Sequence, residues 1–285
     1  MVNGMRVAIL TLLAMIAFAS NSLLCRLALK RTTIDPATFT FVRILSGAIA
    51  LWLIVITRKA SRLPAGSWSS ALALLVYAAA FSFAYVTLSA GTGALLLFGA
   101  VQATMVLWGL RNGERLDTRQ WFGLTIALAG LVALVFPGLS APPIGGALLM
   151  IGAGMAWGIY SLRGKGAGDP LCVTAGNFRR AVVFASLLSL SLLPSLKLDC
   201  AGAAYAILSG AIASGVGYVI WYSALPGLKA TGAATVQLSV PVLAAVGGIL
   251  FLNESLTLRL LLASIAVLGG ITLVVVEKRT ASSSI

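Results

Sequence analysis

The 285-residue sequence has no histidine, seven acidic residues and three cysteines. Each shortage excludes something. Without histidine, the usual general base and the commonest metal ligand are missing. Cys25, Cys172 and Cys200 are scattered, with no CxxC pair and no ligand partners, so neither a zinc nor a redox centre has a basis in the sequence. The acids are Asp35, Glu114, Asp117, Asp169, Asp199, Glu254 and Glu277, and each falls in a loop or at the end of an apolar run. Intramembrane proteases and lipid-modifying enzymes need an Asp pair, a Ser with a base, or a His/Glu metal set. None can be assembled here, so the sequence predicts no enzyme, no cofactor and no metal.

Charge of either sign is scarce as well. Charged residues make up 9% and hydrophobic residues 60%, with a mean hydropathy of +1.03. A soluble domain carries about 25% charged residues. Twenty basic and seven acidic residues cannot cover a wetted surface of this size, and disorder requires low hydrophobicity. The chain reads as an integral membrane protein.

Ten apolar runs fall at about 7–29, 37–57, 68–89, 91–110, 120–137, 144–162, 172–194, 201–224, 228–252 and 258–276. A spanning helix needs roughly 20 apolar residues, so the runs match ten spans and leave no separate soluble domain. They are continuous rather than alternating, which favours helices over barrel strands. Short junctions, Leu88 to Gly93 and Phe136 to Gly145, force antiparallel neighbours. Arg6, the run Val7 to Phe18 and the small-x-small Ala17-Phe18-Ala19 also read as a cleavable secretory signal, which would leave nine spans.

With the amino terminus inside, twelve of the 20 basic residues lie in inside segments and five outside. Arg43 and the pair Arg179-Arg180 lie within the second and seventh spans, in matched places of the two halves. The bias places both termini in the cytoplasm. The net charge of +13 then reflects topology and attraction to anionic lipid on the cytoplasmic side rather than nucleic-acid binding.

The two halves resemble each other. Thr92-Gly93-Ala94 answers Thr231-Gly232-Ala233, Glu114-Arg115-Leu116 with Arg119 answers Glu254-Ser255-Leu256 with Arg259, and Gly130-Leu131 answers Gly270-Ile271. Tyr85 and Leu88 answer Tyr222 and Leu225, and Asp35-Pro36 answers Asp169-Pro170. Five helices per half make the second repeat run through the bilayer in the opposite sense, an arrangement suited to alternating access. The fold class is therefore all-α, with ten transmembrane helices in two inverted five-helix repeats, 1–140 and 141–285.

The Gly-Ala helix start, the mid-helix proline, Glu-x-Leu and the glycine-containing last span resemble the EamA repeat of the drug/metabolite transporter superfamily. Length, span number and aromatic residues resemble in particular the YddG-type amino-acid exporters. The resemblance implies a basket of helices with a central cavity lined by the first, third, fourth, sixth, eighth and ninth spans; the protein is expected to act in a bacterial inner membrane as a monomer on a small-molecule substrate. It also implies that the second and seventh spans, with Arg43 and the Arg179-Arg180 pair, lie away from the cavity. One departure is Gln102, which stands where the second half has Pro241.

Tyr77, Phe81 and Tyr85 are spaced by four on one helical face, and Ser214, Tyr218 and Tyr222 repeat the spacing in the matching span. They line a cavity for an apolar or aromatic solute, or else pack and anchor at the membrane interface. Trp157 and Tyr160 extend the aromatic set. Asn21, Gln102, Gln237 and Ser239 are polar side chains deep in apolar runs, placed for substrate or for interhelical hydrogen bonds. Pro241, Glu114 and Glu254 are hinge or gate candidates, the two acids facing Arg119 and Arg259. Arg43 reads as a substrate-carboxylate ligand, or as a cation that snorkels or pairs with loop acids and helix-end carbonyls.

No acid or Lys lies mid-span, so proton coupling through a buried carboxylate is not expected, and a cation would find no counter-charge. The expected activity is facilitated export of aromatic and other hydrophobic amino acids or similar metabolites. The alternatives are a lipid flippase or scramblase and an exporter of other aromatic or drug-like metabolites.

Overall fold

The computed structural model describes residues 4–58, 66–113, 115–138, 141–164, 168–224, 227–228 and 236–275. Among the described residues the apolar helices of eight residues or more are α1 (Gly4–Arg31), α2 (Pro36–Thr57), α3 (Trp68–Tyr85), α4 (Ala90–Arg111), α5 (Thr118–Val135), α6 (Ile144–Gly164), α7 (Pro170–Ser191), α8 (Cys200–Ala224), α9 (Ser239–Leu252) and α10 (Leu258–Val275). No strand is present among the described residues. Nine of the helices are long and apolar enough to cross a membrane, and α9 is a shorter apolar helix of 14 residues. Large apolar side chains such as Trp52, Leu107 and Leu250 face outward, as a lipid-embedded surface requires.

Helix starts are defined by short polar side chains. Asp35, Ser67, Ser89, Asp117, Asp169 and Asp199 each accept backbone N–H bonds at the head of the following helix. These caps satisfy N–H groups the helix leaves open, and their anions suit the positive helix end. Four of the five acids among the described residues are therefore engaged as caps. The fifth, Glu254, also meets a helix start, accepting from the Ala90 N–H at 2.8 Å.

The packing follows the repeat. α3 lies on α6 as α8 lies on α1, α4 lies on α6 as α9 lies on α1, and α2–α7, α4–α9 and α5–α10 pair across the pseudo-twofold. The end of α1 meets the end of α3 and the start of α4 at one face of the molecule, here the upper face. The α6 helix starts there, with Gly146 against Thr87, and ends at the lower face, where Arg163 meets Ser69 and Ser70 of α3. The first helix of each half thus runs in opposite senses.

The middle of α8 departs from α-helical geometry, with Leu208–Val216 forming a nine-residue π-helix. Bonding from i to i+5 places residues five apart nearly over one another. Ser209 and Ser214 consequently both face the interior. This segment docks on α2 through glycine. A Cβ on Gly47 would lie 2.6 Å from the Phe178 ring, and one on Gly210 would strike the Arg43 carbonyl.

Burial pushes the Asp35 carboxyl up, but hydrogen bonds from the Lys197, Thr38 and Ala37 backbone outweigh it, and the net shift is below the usual carboxylate value. Asp35 joins α2 to the loop before α8 by accepting the Lys197 N–H at 2.9 Å. Replacing it with Ala should lower stability by about 1 kcal/mol, and with Asn by less. A group with a depressed native value stabilises above its unfolded value and loses that contribution as pH falls through the native one. Unfolding midpoints of wild type and Asp35→Asn in detergent should therefore converge on acidification, and a gap independent of pH would contradict the assignment.

Candidate functional site

A cavity lies at the centre of the bundle, lined by Phe18, Asn21 and Ser22 of α1, Tyr77 and Phe81 of α3, Leu97 and Phe98 of α4, Trp157 of α6, and Ala213, Ser214 and Tyr218 of α8. Its volume of about 20 Å³ holds roughly one water. A second cavity of about 160 Å³ opens toward the lower face between Arg58, Asp169, Thr174 and Tyr222. Tyr218 belongs to both cavities and forms the floor between them.

The walls are aromatic. Trp157 lies 4.8 Å from Tyr77, 5.1 Å from Tyr218 and 5.4 Å from Tyr160, centroid to centroid. Phe18 and Phe178 meet Tyr218 edge-on. Spacing by four on α3 and α8 produces this convergence, because each stripe occupies one face and the faces meet across α6.

Through the aromatic wall runs a polar chain. Ser209 donates to Asn21 Oδ1 at 2.6 Å, and Asn21 Nδ2 donates to the Tyr77 hydroxyl at 3.3 Å. Arg43 Nη2 donates to the same hydroxyl at 3.1 Å and to Ser214 Oγ at 3.4 Å. The guanidinium carbon lies 5.2 Å from the Tyr77 ring centroid and 4.9 Å from that of Phe81.

Arg43 is only 2% exposed. The expected snorkelling or pairing with a loop acid does not occur, because α2 is held against the π-helix with its cation turned inward. Burying a cation costs several kcal/mol after relaxation. Each ring face returns up to about 2 kcal/mol and each hydroxyl bond to the charge roughly 1.5–3. Nη1 remains buried without a hydrogen-bond partner.

The remaining candidates divide. Tyr222 lines the lower cavity, and Tyr160 is buried beneath Trp157, accepting from Asn177 at 3.5 Å. Tyr85 is not interfacial; it is fully buried, its hydroxyl donating to the Ala90 carbonyl. Gln102 is buried one turn beyond Phe98, outside the lining, and Gln237 is half-buried. Ser239 bonds the Val236 carbonyl of its own segment. Pro241 is the third residue of α9 and follows a turn at Leu238 that separates α9 from the helical residues Val236 and Gln237, a break of the kind a proline imposes on the turn before it. Glu114 and the Thr231-Gly232-Ala233 match lie outside the described residues.

Glu254 pairs with Arg26, not with Arg259, at 3.3 Å. Arg26 also donates to the Tyr85 and Val86 carbonyls at 2.8 and 2.9 Å. Arg259 instead donates to the Leu134 and Phe136 carbonyls. One ion pair thereby ties α1, the end of α3, the start of α4 and the end of α9 together at the upper face.

Arg180 lies over the Trp68 ring and donates to Gly176, and Arg179 is exposed. Counting from the paired Asp-Pro starts, the partner of Arg43 in the second half is Asn177, and not the Arg179-Arg180 pair that its place in the span suggests. Thr40 and Thr174 confirm the register, each bonding the carbonyl of its helix's first proline at 2.7 Å.

Both halves carry the sequence pattern of the EamA-like transporter family, over residues 5–136 and 144–276. The chain belongs to that family. It is accordingly a membrane transporter built of two EamA repeats. An uncharacterized protein of Pseudomonas aeruginosa is 59% identical over 274 residues, 96% of each chain. An uncharacterized transporter of Archaeoglobus fulgidus is 28% identical over 283 residues, 93% of this chain and 96% of that one. The threonine/homoserine exporter RhtA of Escherichia coli K12 is 34% identical over 155 residues, 52% of this chain and 51% of the exporter. One crystal structure shares the fold, with a TM-score of 0.67 at 15% identity over 95% of this chain and 98% of that one.

The Arg26–Glu254 closure is open to test. In a background with Cys25, Cys172 and Cys200 replaced by Ser, a cysteine at Ser22 lies behind the closed upper face. Glu254→Ala leaves Arg26 unpaired and Ala90 uncapped, and should raise labelling of that cysteine by an impermeant maleimide from the upper side several-fold. Unchanged labelling would show that the pair does not seal this face.

Proposed function

We propose that this transporter exports aromatic and other hydrophobic amino acids, or similar small metabolites, by alternating access between two inverted repeats, 1–140 and 141–285. The observation that carries the reading is the aromatic chamber with its threaded polar chain, which lies below the Arg26–Glu254 pair and shares Tyr218 with the lower cavity. With the lower face cytoplasmic, as the basic residues favour, this is an inward-directed state. Localisation in a bacterial inner membrane, with both termini cytoplasmic and the monomer sufficient, completes the reading.

Phe81, Tyr77, Trp157 and Tyr218 supply ring faces, and Asn21 and Ser214 supply polar contacts. Tyr85, Tyr160 and Tyr222 support or flank them. RhtA, named as an amino-acid exporter, supports the cargo class, although the matched region covers about half of it. Among the described residues every acid is engaged at a helix end, which supports facilitated movement over proton coupling through a buried carboxylate. A lipid substrate is the second reading. It is favoured by a lipid-facing groove of about 550 Å³ between α1 and α8 that shares Ala213 with the central cavity.

Reconstituted vesicles test this directly. Radiolabelled phenylalanine should exchange against internal phenylalanine, while a pH gradient alone should drive no uphill accumulation and lipids should not scramble. Phe81→Ala and Tyr218→Ala should slow large substrates more than small ones. Uphill accumulation under a pH gradient would overturn the facilitated mechanism. Lipid scrambling without amino-acid exchange would overturn the cargo.

A further inference from the structure

Arg43 combines three observations that a packing role leaves unexplained. It is buried directly behind the wall of the central cavity, bonded through Nη2 to two hydroxyls, Tyr77 and Ser214, that line it. Its Nη1 has no partner. Among the described residues no carboxylate balances its charge, because Asp35, Asp117, Asp169 and Asp199 cap helices and Glu254 holds Arg26. A cation required by the helix packing of the repeat would recur in the other half, yet the matching position is the neutral Asn177, which bonds Tyr160 and the Ser67 N–H.

We propose that Arg43 is the anion-recognition residue of the central site, and that the cargo carries a carboxylate which bonds Nη1 as Tyr77 and Phe81 part to admit it. The proposal rests on the transport reading of the cavity and narrows it. The cargo class is apolar or aromatic monocarboxylates, zwitterionic amino acids among them, and not amines, amides or esters that lack a free carboxylate. A planar guanidinium suits this task, since its fork matches two carboxylate oxygens and it stays charged when buried. The cargo's ammonium group meets only ring faces and neutral oxygens, so its removal matters less than removal of the acid.

The test is binding to the purified full-length protein in detergent, read by thermal shift. N-acetyl-L-phenylalanine keeps the carboxylate and loses the cation, whereas L-phenylalaninamide does the reverse. The acid should bind at least about tenfold more tightly than the amide, the loss expected for one hydrogen bond to a charged group. Arg43→Gln should abolish that preference, and Arg43→Lys should keep the order with several-fold weaker binding of the acid.

Equal binding of acid and amide to the wild type overturns the proposal, as does a preference that survives in Arg43→Gln. If Arg43→Gln does not fold, Arg43→Lys decides, and unchanged affinity for the acid overturns the proposal. Phenylalanine counterflow on the same preparation separates the two claims. Acid-selective binding without counterflow sinks the amino-acid reading and leaves Arg43 in place. Counterflow without acid–amide discrimination does the opposite.

Discussion

A single buried cation organises the interior of this protein. Arg43 occupies a low-dielectric setting where an isolated charge is costly, and it is held by two ring faces and two hydroxyls rather than by a counter-ion. The three side chains that supply these contacts, Tyr77, Phe81 and Ser214, all belong to the chamber wall. The Tyr77 hydroxyl accepts from both Arg43 and Asn21, and Asn21 in turn accepts from Ser209, so the charge on α2 is coupled to α1, α3 and the π-helix of α8. Anything entering the chamber disturbs this chain, and an entering anion relieves the charge that the chain only partly satisfies.

The two repeats share a frame but not a charge distribution. Asp-Pro starts, threonines bonded to the first proline and crossed helix pairs recur in both halves. Against that frame, Asn177 stands in the second half where the first has Arg43, and Arg26 is held by a carboxylate while Arg163 at the opposite face rests on two serine hydroxyls. A partly buried ion pair with a shared N–H acceptor is stronger than a pair of bonds to neutral hydroxyls. The upper closure is consequently the firmer of the two, which agrees with a cavity that opens downward. Small residues at Gly47 and Gly210 let α2 and the π-helix approach closely enough for Arg43 to reach across, and they leave that contact no slack.

Much of this was legible in the sequence. Ten apolar runs, the charge bias and the repeat specified the membrane fold, and spacing by four gathered Tyr77, Phe81, Ser214 and Tyr218 on the faces that converge. The loss of register within α8 was not legible. Ser209 lies five residues before Ser214, an interval that points to different faces in an α-helix and to one face in a π-helix. The inward turn of Arg43 was hidden because an arginine in an apolar run reads equally as a snorkelling side chain, and only the packing of α2 on Gly210 decides between them. Partner choice was hidden too. Glu254 has Arg259 nearby in sequence but Arg26 nearby in space, and short-range spacing cannot report a contact 228 positions apart. The break at Leu238, three residues before Pro241, divides what sequence alone reads as one continuous run.

The most direct measurement is a structure of the protein with p-bromo-L-phenylalanine bound, the bromine located by anomalous scattering. The account predicts the bromophenyl ring among Tyr77, Trp157 and Tyr218, and a carboxylate oxygen within hydrogen-bond distance of Arg43 Nη1. A ligand seated in that chamber with its carboxylate directed away from Arg43, or one bound elsewhere in the bundle, would contradict it.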